Sequence, residues 1–349
     1  MDETTRLMAF LDVDRIQELA RLEYSQNNLD KAKTYFTECL RIAQKHEYRI
    51  GEARALSGLA ASFRGSENGT KSINLFEQAL VIAREEENHI LEATVLGNLG
   101  NAHLSIGNHR RARELLTRAL AIHREQGNHR MEAFVLCSIG SILMDEGLRE
   151  QSHVLLHQAL DICQSVGDKK NEAMILANIA HNHHYQNDHK NAQKSWMQAI
   201  RIFESIENFD TAGIHWGNLG DSLIETGQFQ EAERALKRGI ERCEKSIPGA
   251  CSAFRGSLAR LLAERGEFNK AQSLLDQSEQ SIQVRPREHA IFLCKKGHVL
   301  RLKGDIKGAR EALKQAQVLV GNSISDKTGL VSRAINTLCT ALAIIPAEN

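Results

Sequence analysis

The alternation of small, large and polar positions along the chain is periodic. The motifs LGNLG, CSIG, ANIA and GNLG close at Gly100, Gly140, Ala180 and Gly220, a spacing of 40 each time. The register runs back to Ala60 and Ala20, and forward to Ala259 and Gly297 with periods of 39 and 38. Two further columns are small. One holds Ala32, Ser72, Ala112, Ser152, Ala192, Ala232, Ala271 and Ala309; the other holds Cys39, Ala79, Ala119, Ala159, Ala199, Gly239, Ser278 and Ala316. A fourth column is large and apolar: Phe36, Phe76, Leu116, Leu156, Trp196, Leu236, Leu275 and Leu313. Small residues let two helix backbones approach, and a large one fills the gap beside them. Each copy therefore predicts two antiparallel helices. Gly107, Gly147, Gly227, Gly266 and Gly304 supply the positive φ that ends the first helix, and Gly127 and Gly167 do so after the second. No copy can bury its apolar face alone, so the copies stack.

The expected organisation is a single solenoid over 1–349, with repeats near 12–50, 51–90, 91–130, 131–170, 171–210, 211–248, 249–287 and 288–323. Apolar residues at Leu330, Val331, Ile335, Leu338 and Leu342 have helical spacing and predict a capping helix within 326–345. The N-terminal TTRLMAFL extends or caps the first repeat. Composition agrees with helices throughout. There are 3 prolines (Pro248, Pro286, Pro346), so the first 247 residues contain none. Helix interiors exclude proline, and strands favour β-branched and aromatic residues, whereas this chain is rich in alanine and leucine with only 5% aromatics. Copies seven and eight are degenerate: Glu279 and Gln317 stand in an apolar column, and Lys296 replaces its leucine.

Segments such as NLGNAHLSIGNHRRARELLTRALAI (98–122) and NLGDSLIETGQFQEAERALKRGI (218–240) resemble tetratricopeptide repeats. The resemblance covers roughly residues 12–320. It departs from the family in its period, which is commonly about 34, and in lacking the closing proline in the first five copies. It is similar to the longer-helix variety found in cell-polarity scaffolds, bacterial peptide-sensing regulators and the sensor arms of signalling ATPases. The resemblance implies an all-α, right-handed α-solenoid of about eight helix pairs with a C-terminal capping helix.

Charge narrows the function classes. The 44 basic residues equal the 44 acidic ones, so no basic excess marks a nucleic-acid or membrane-surface binder. The start has no secretory pattern. Seven cysteines without CxxC spacing read as free thiols in a reducing compartment, with cytoplasm the default.

Three features bear on chemistry. GSENGTKS (65–72) nearly spells a phosphate loop, but Thr70 stands where glycine is required and no strand precedes it. His181 and His184 share a helix face, and Asp188 or His189 could add a metal ligand from the turn. The competing reading makes His183 a packed histidine and the other two a polar groove lining, so no metal or cofactor is assigned. From Arg285 to Lys314, 9 basic residues face 3 acids, which suits either an acidic ligand or a solvated face. No convergent catalytic set is visible, and the expectation is a chain that is not an enzyme.

In the family, residues two before, one after and four after the helix-A small column commonly face the concave groove. Carried onto this sequence, the columns contain Arg21, Arg64, Asn98, Asn101, Asn178, His181, His184, Asn218 and Asp221. Ser57, Gly97, Cys137, Ala177, Gly217 and Gly256 precede the first column, and their small size predicts room for a ligand backbone. Asparagine offers both donor and acceptor, which matches the amides of an extended peptide. The expected function is protein interaction: a peptide or helical segment of a partner held in the groove, by a scaffold, adaptor or regulator. A sensor of a small signalling peptide that controls an effector is the alternative.

Overall fold

In the computed structural model, 18 helices and no strands are found among the described residues, which are 3–26, 28–63, 68–244, 246–283, 286–321 and 330–343. The fold is an all-α solenoid of helix pairs. The chain divides into two compact units, residues 1–142 and 143–349. The first holds α1 (Glu3–Ser25), α2 (Leu29–Lys45), α3 (Arg49–Ser62), α4 (Gly69–Glu85), α5 (His89–Ser105), α6 (His109–Glu125) and most of α7 (His129–Asp145). The second holds α8 (Arg149–Ser165), α9 (Lys169–Tyr185), α10 (His189–Ser205), α11 (Phe209–Glu225), α12 (Phe229–Cys243) and α13 (Pro248–Glu264). It continues with α14 (Phe268–Asp276), α15 (Glu279–Ile282), α16 (Pro286–Lys303), α17 (Ile306–Gly321) and α18 (Leu330–Ala343). Odd-numbered helices up to α13 open a pair, as does α16.

The helix starts have a local cause that the column pattern overlooks. Asn88, Asn108, Asn128, Asp168, Asp188 and Asn208 recur at multiples of 20 residues. Each side chain accepts a hydrogen bond from the backbone N–H three residues on, at 3.0–3.4 Å. Such a cap satisfies an orphan donor and is worth about 1 kcal/mol. The ends follow the glycines: Gly107, Gly147 and Gly227 have φ of 78°, 81° and 74°. At equivalent turns Glu87 and Glu207 take φ of 50° and 57°, where a Cβ meets the following carbonyl. Glu87→Gly and Glu207→Gly should each raise stability in urea by about 0.5–1 kcal/mol, the relief being partly offset by glycine's larger unfolded-state entropy. A loss of stability in both would show that these turns carry no strain.

The small columns are interior: Ala20, Ala60, Ala180 and Ala259 are fully buried, as are Ala112, Ala192, Ala119 and Ala199. At Gly239 a Cβ would lie 2.9 Å from the Gly213 carbonyl and the Gly217 nitrogen, so α11 and α12 touch backbone to backbone. The large column packs against the opening helix of its own pair, Leu116 beside Gly100 and Leu236 beside Gly220, and Leu116, Leu156, Leu236 and Trp196 are essentially inaccessible. Decay of the pattern in copy seven has a visible result. Its second helix is broken into α14 and α15, and Glu279 turns to accept from Lys296 Nζ at 2.5 Å. The two departures from the apolar pattern pair with each other. The expected cap is present: Val331, Leu338 and Leu342 of α18 are buried with Ala290, Leu293 and Ala309 of α16 and α17.

Candidate functional site

Within unit 2 the opening helices α9, α11, α13 and α16 present their polar columns to one another. The links skip whole repeats. Lys295 Nζ on α16 donates to Asp221 Oδ2 on α11 (3.1 Å), to Ser257 Oγ on α13 (2.5 Å) and to the Ala253 carbonyl (3.3 Å). Arg333 Nη2, on the cap α18, donates to the Tyr185 carbonyl at the end of α9 (2.8 Å). Its guanidinium lies 5.1 Å from the Tyr185 ring centre. These two residues are 148 apart in sequence. Contact between them requires the opening helices of this unit to curve around a shared concave face.

The floor of that face is rich in imidazole. Asn218 Nδ2 stands 3.5 Å from His181 Nε2. The His181 and His184 rings lie 5.3 and 5.5 Å from the Trp196 ring. His215 stacks on Phe203 at 5.4 Å. Burial holds the His181 pKa down to about 4, with His184 adding repulsion. Burial likewise lowers His184 to about 4, His215 to about 3 and His298 to about 4. All four are neutral at pH 7, so the face offers uncharged donors and acceptors flanked by Lys295, Arg333 and Arg260. Burial also raises the Glu225 carboxyl, with Asp221 adding to it.

The expected groove residues divide as follows. Asn178, His181, Asn218 and Asp221 lie half-buried on this face, whereas His184 is buried, 6% exposed, beneath it. In unit 1, Asn98 and Asn101 are half-buried on α5. Arg21 is exposed and ion-paired to Glu18 of its own helix at 2.7 Å. Arg64 falls outside the described residues, as do Gly65, Ser66 and Glu67 of the GSENGTKS stretch, and from Gly69 on that stretch forms the start of α4. The preceding small column needs correction, because it leaves no room for a ligand backbone. Ser57, Cys137 and Ala177 are buried. The space beside Gly217 is filled by the Phe254 ring, and that beside Gly256 by Phe292. These positions pack one repeat on the next. His183, expected as a packed histidine, is partly buried and faces Asp188 Oδ2 at 3.3 Å.

The reach of Lys295 and Arg333 was not readable from the columns. Lys295 lies two before the small-column Gly297 of a degenerate copy, and Arg333 belongs to the cap. The basic stretch around them is partly neutralised by Asp221 and Glu279. A separate surface hollow of about 790 Å³, lined by Phe229, Arg234, Lys237 and Arg265, shares no residue with this face. All seven cysteines lie outside any disulfide, six of them buried, and desolvation pushes the Cys39, Cys243 and Cys294 thiols up to about 12. Among the described residues, no helix is long and apolar enough to cross a membrane.

Helix pairs with these small and large columns define a helical-repeat protein. Models of the tetratricopeptide repeat match residues 14–46, 51–125 and 217–247, so the chain carries tetratricopeptide repeats over those stretches. No curated protein matches the sequence. Among solved structures, a Rap protein complexed with Competence and Sporulation Factor is similar over 97% of this chain and 99% of its own, with 17% identity and a TM-score of 0.60. NprR in complex with its cognate peptide NprX is similar over 94% and 98%, with 14% identity and a TM-score of 0.58. A signal-transduction ATPase with a tetratricopeptide repeat sensor from Pyrococcus horikoshii is 19% identical, with a TM-score of 0.60 over 81% of this chain. The matched part is 44% of that ATPase chain.

Proposed function

We propose that the chain is a non-catalytic protein-interaction module that holds an extended peptide segment of a partner on the polar faces of its opening helices. The observation that carries this reading is the ladder Asn178, His181, Asn218 in unit 2. These are half-buried, neutral groups that both donate and accept, flanked by cationic Lys295 and Arg333. Peptide amides need paired donors and acceptors, and acidic side chains or a terminal carboxylate suit the flanking cations. Asn98 and Asn101 offer the same chemistry in unit 1. Balanced charge supports a protein or peptide ligand over nucleic acid, and cysteines outside any disulfide support a cytoplasmic setting.

Selection from a random peptide library should enrich ligands on the wild-type chain. Asn178→Ala/His181→Ala/Asn218→Ala, with its helical circular dichroism intact, should bind them roughly 10–100-fold more weakly, as expected for two or three lost hydrogen bonds. Undiminished binding by the folded variant would remove this face from the function.

A second reading, a sensor of a small signalling peptide, is favoured by the repeat-skipping contacts. A ligand entering beside Asp221 and Tyr185 competes for Lys295 and Arg333, so binding is coupled to the curvature of the unit. Of the proteins of similar fold, NprR is in complex with its cognate peptide, and the Rap protein with Competence and Sporulation Factor.

A further inference from the structure

We propose that His184, His189 and Glu225 form a binding site for one divalent transition-metal ion, and that the ion clamps repeat five to repeat six. The three residues come from separate helix ends: the last turn of α9, the first residue of α10 and the last residue of α11. One ligand atom from each lies within 4.8 Å of the others. Glu225 Oε2 is 3.6 Å from His184 Nε2 and 3.7 Å from His189 Nδ1. Metal–nitrogen and metal–oxygen bonds of about 2.0–2.2 Å in a tetrahedron put neighbouring ligand atoms about 3.3–3.6 Å apart. One edge of the required polyhedron therefore already exists, the second exceeds that range by about 0.1 Å, and the set closes with a side-chain adjustment.

The chemistry of the donors fits. His189 Nδ1 is enclosed and has no hydrogen-bond partner, yet it points at the carboxylate. A nitrogen enclosed without a partner is costly in a merely structural histidine and useful in a ligand. Two imidazoles and one carboxylate, with remaining positions open to water, suit zinc and its neighbours rather than calcium or magnesium. The ligands are also held in place. Asp188 caps α10 through the Asn191 N–H at 3.3 Å and takes the Asn191 amide at 2.7 Å, which fixes the turn between the two histidines. Asp221 adds negative charge beside the site and Arg333 adds positive charge. The Arg333 guanidinium is itself bonded to the Tyr185 carbonyl.

The register makes this junction special. The same three positions one period earlier are Met144, Arg149 and Tyr185, and two periods earlier Leu104, His109 and Asp145. Neither is a full ligand set. The site does not depend on the peptide-binding reading, and it uses none of the ladder residues.

The test is a titration of untagged, chelator-treated full-length protein with Zn²⁺ by calorimetry, and with Co²⁺ by visible absorption. One equivalent should bind, with Co²⁺ giving the intense d–d bands of a four-coordinate site, and the melting temperature should rise with added Zn²⁺. His189→Ala and Glu225→Gln, each folded in the metal-free state, should weaken binding by at least about tenfold. His153→Ala/His157→Ala, which removes another histidine pair of the same unit, should leave it unchanged. Absence of stoichiometric binding, or equal binding by wild type, His189→Ala and Glu225→Gln, would overturn the proposal. So would loss in the His153/His157 variant alone.

Discussion

Trp196→Ala should lower the unfolding free energy by about 3–5 kcal/mol, the cost of emptying a large buried aromatic site. Trp196 is 1% exposed and is the bulkiest member of the large column. It lies between helix pairs of unit 2, in one core with Leu219, Leu223, Ala232 and Leu236. Its ring also backs His181 and His184 at 5.3 and 5.5 Å. The substitution should therefore loosen the imidazoles as well as the core, and ligand affinity should fall even where the variant remains folded. Trp196→Phe separates the two effects. It keeps an aromatic wall and discards an indole N–H that has no partner, so it should recover more than half of the lost stability. Urea unfolding of the three proteins is the measurement. A loss under 1 kcal/mol in Trp196→Ala would mean that the large column does not bear the stacking.

Acidification from pH 7 to 4.5 should destabilise the protein by on the order of 5 kcal/mol. His181, His215 and His298 are kept neutral by burial, with pKa values of about 4, about 3 and about 4. In the unfolded chain an imidazole takes its proton near 6.5. Between about 6.5 and about 4 the unfolded state binds more protons, so stability falls as pH falls through that window. Glu225 works the other way, because its raised carboxyl accepts a proton more readily in the folded state. His215→Phe keeps a ring against Phe203 and cannot be protonated, so it should remove about a third of the acid loss. Denaturant midpoints that are equal at pH 7 and 4.5, or an unchanged pH slope in His215→Phe, would refute this account.

Much of the architecture was legible because helix packing imposes one rule at every repeat. The small columns at Ala32, Ala112 and Ala192 are buried because backbones must approach there, and no other residue size fits. The glycine turns were legible for the same reason, since positive φ selects glycine. The cap helix announced itself by Val331, Leu338 and Leu342. The candidate site was only half legible. Asn178, His181 and Asn218 come out half-buried on the opening helices, because orientation on a helix follows from its 3.6-residue period. His184 obeys the same period yet is buried, because Trp196 and the α10 turn close over it.

The sequence by itself determined an all-α solenoid of helix pairs and its glycine turns. Each of those depends on residues within one repeat or its neighbour, and such distances are fixed by helix geometry. Only the tertiary structure decided what meets across the opening helices of unit 2. Lys295 reaching Asp221, Arg333 reaching Tyr185, and Glu225 meeting His184 and His189 all depend on how small rotations between successive pairs accumulate. It also turned two apparent defects, Glu279 and Lys296, into an ion pair, and gave the small column before the ladder to Phe254 and Phe292 rather than to a ligand. Residues tens of positions apart meet or miss by a few ångströms according to that summed rotation, and no single repeat encodes it.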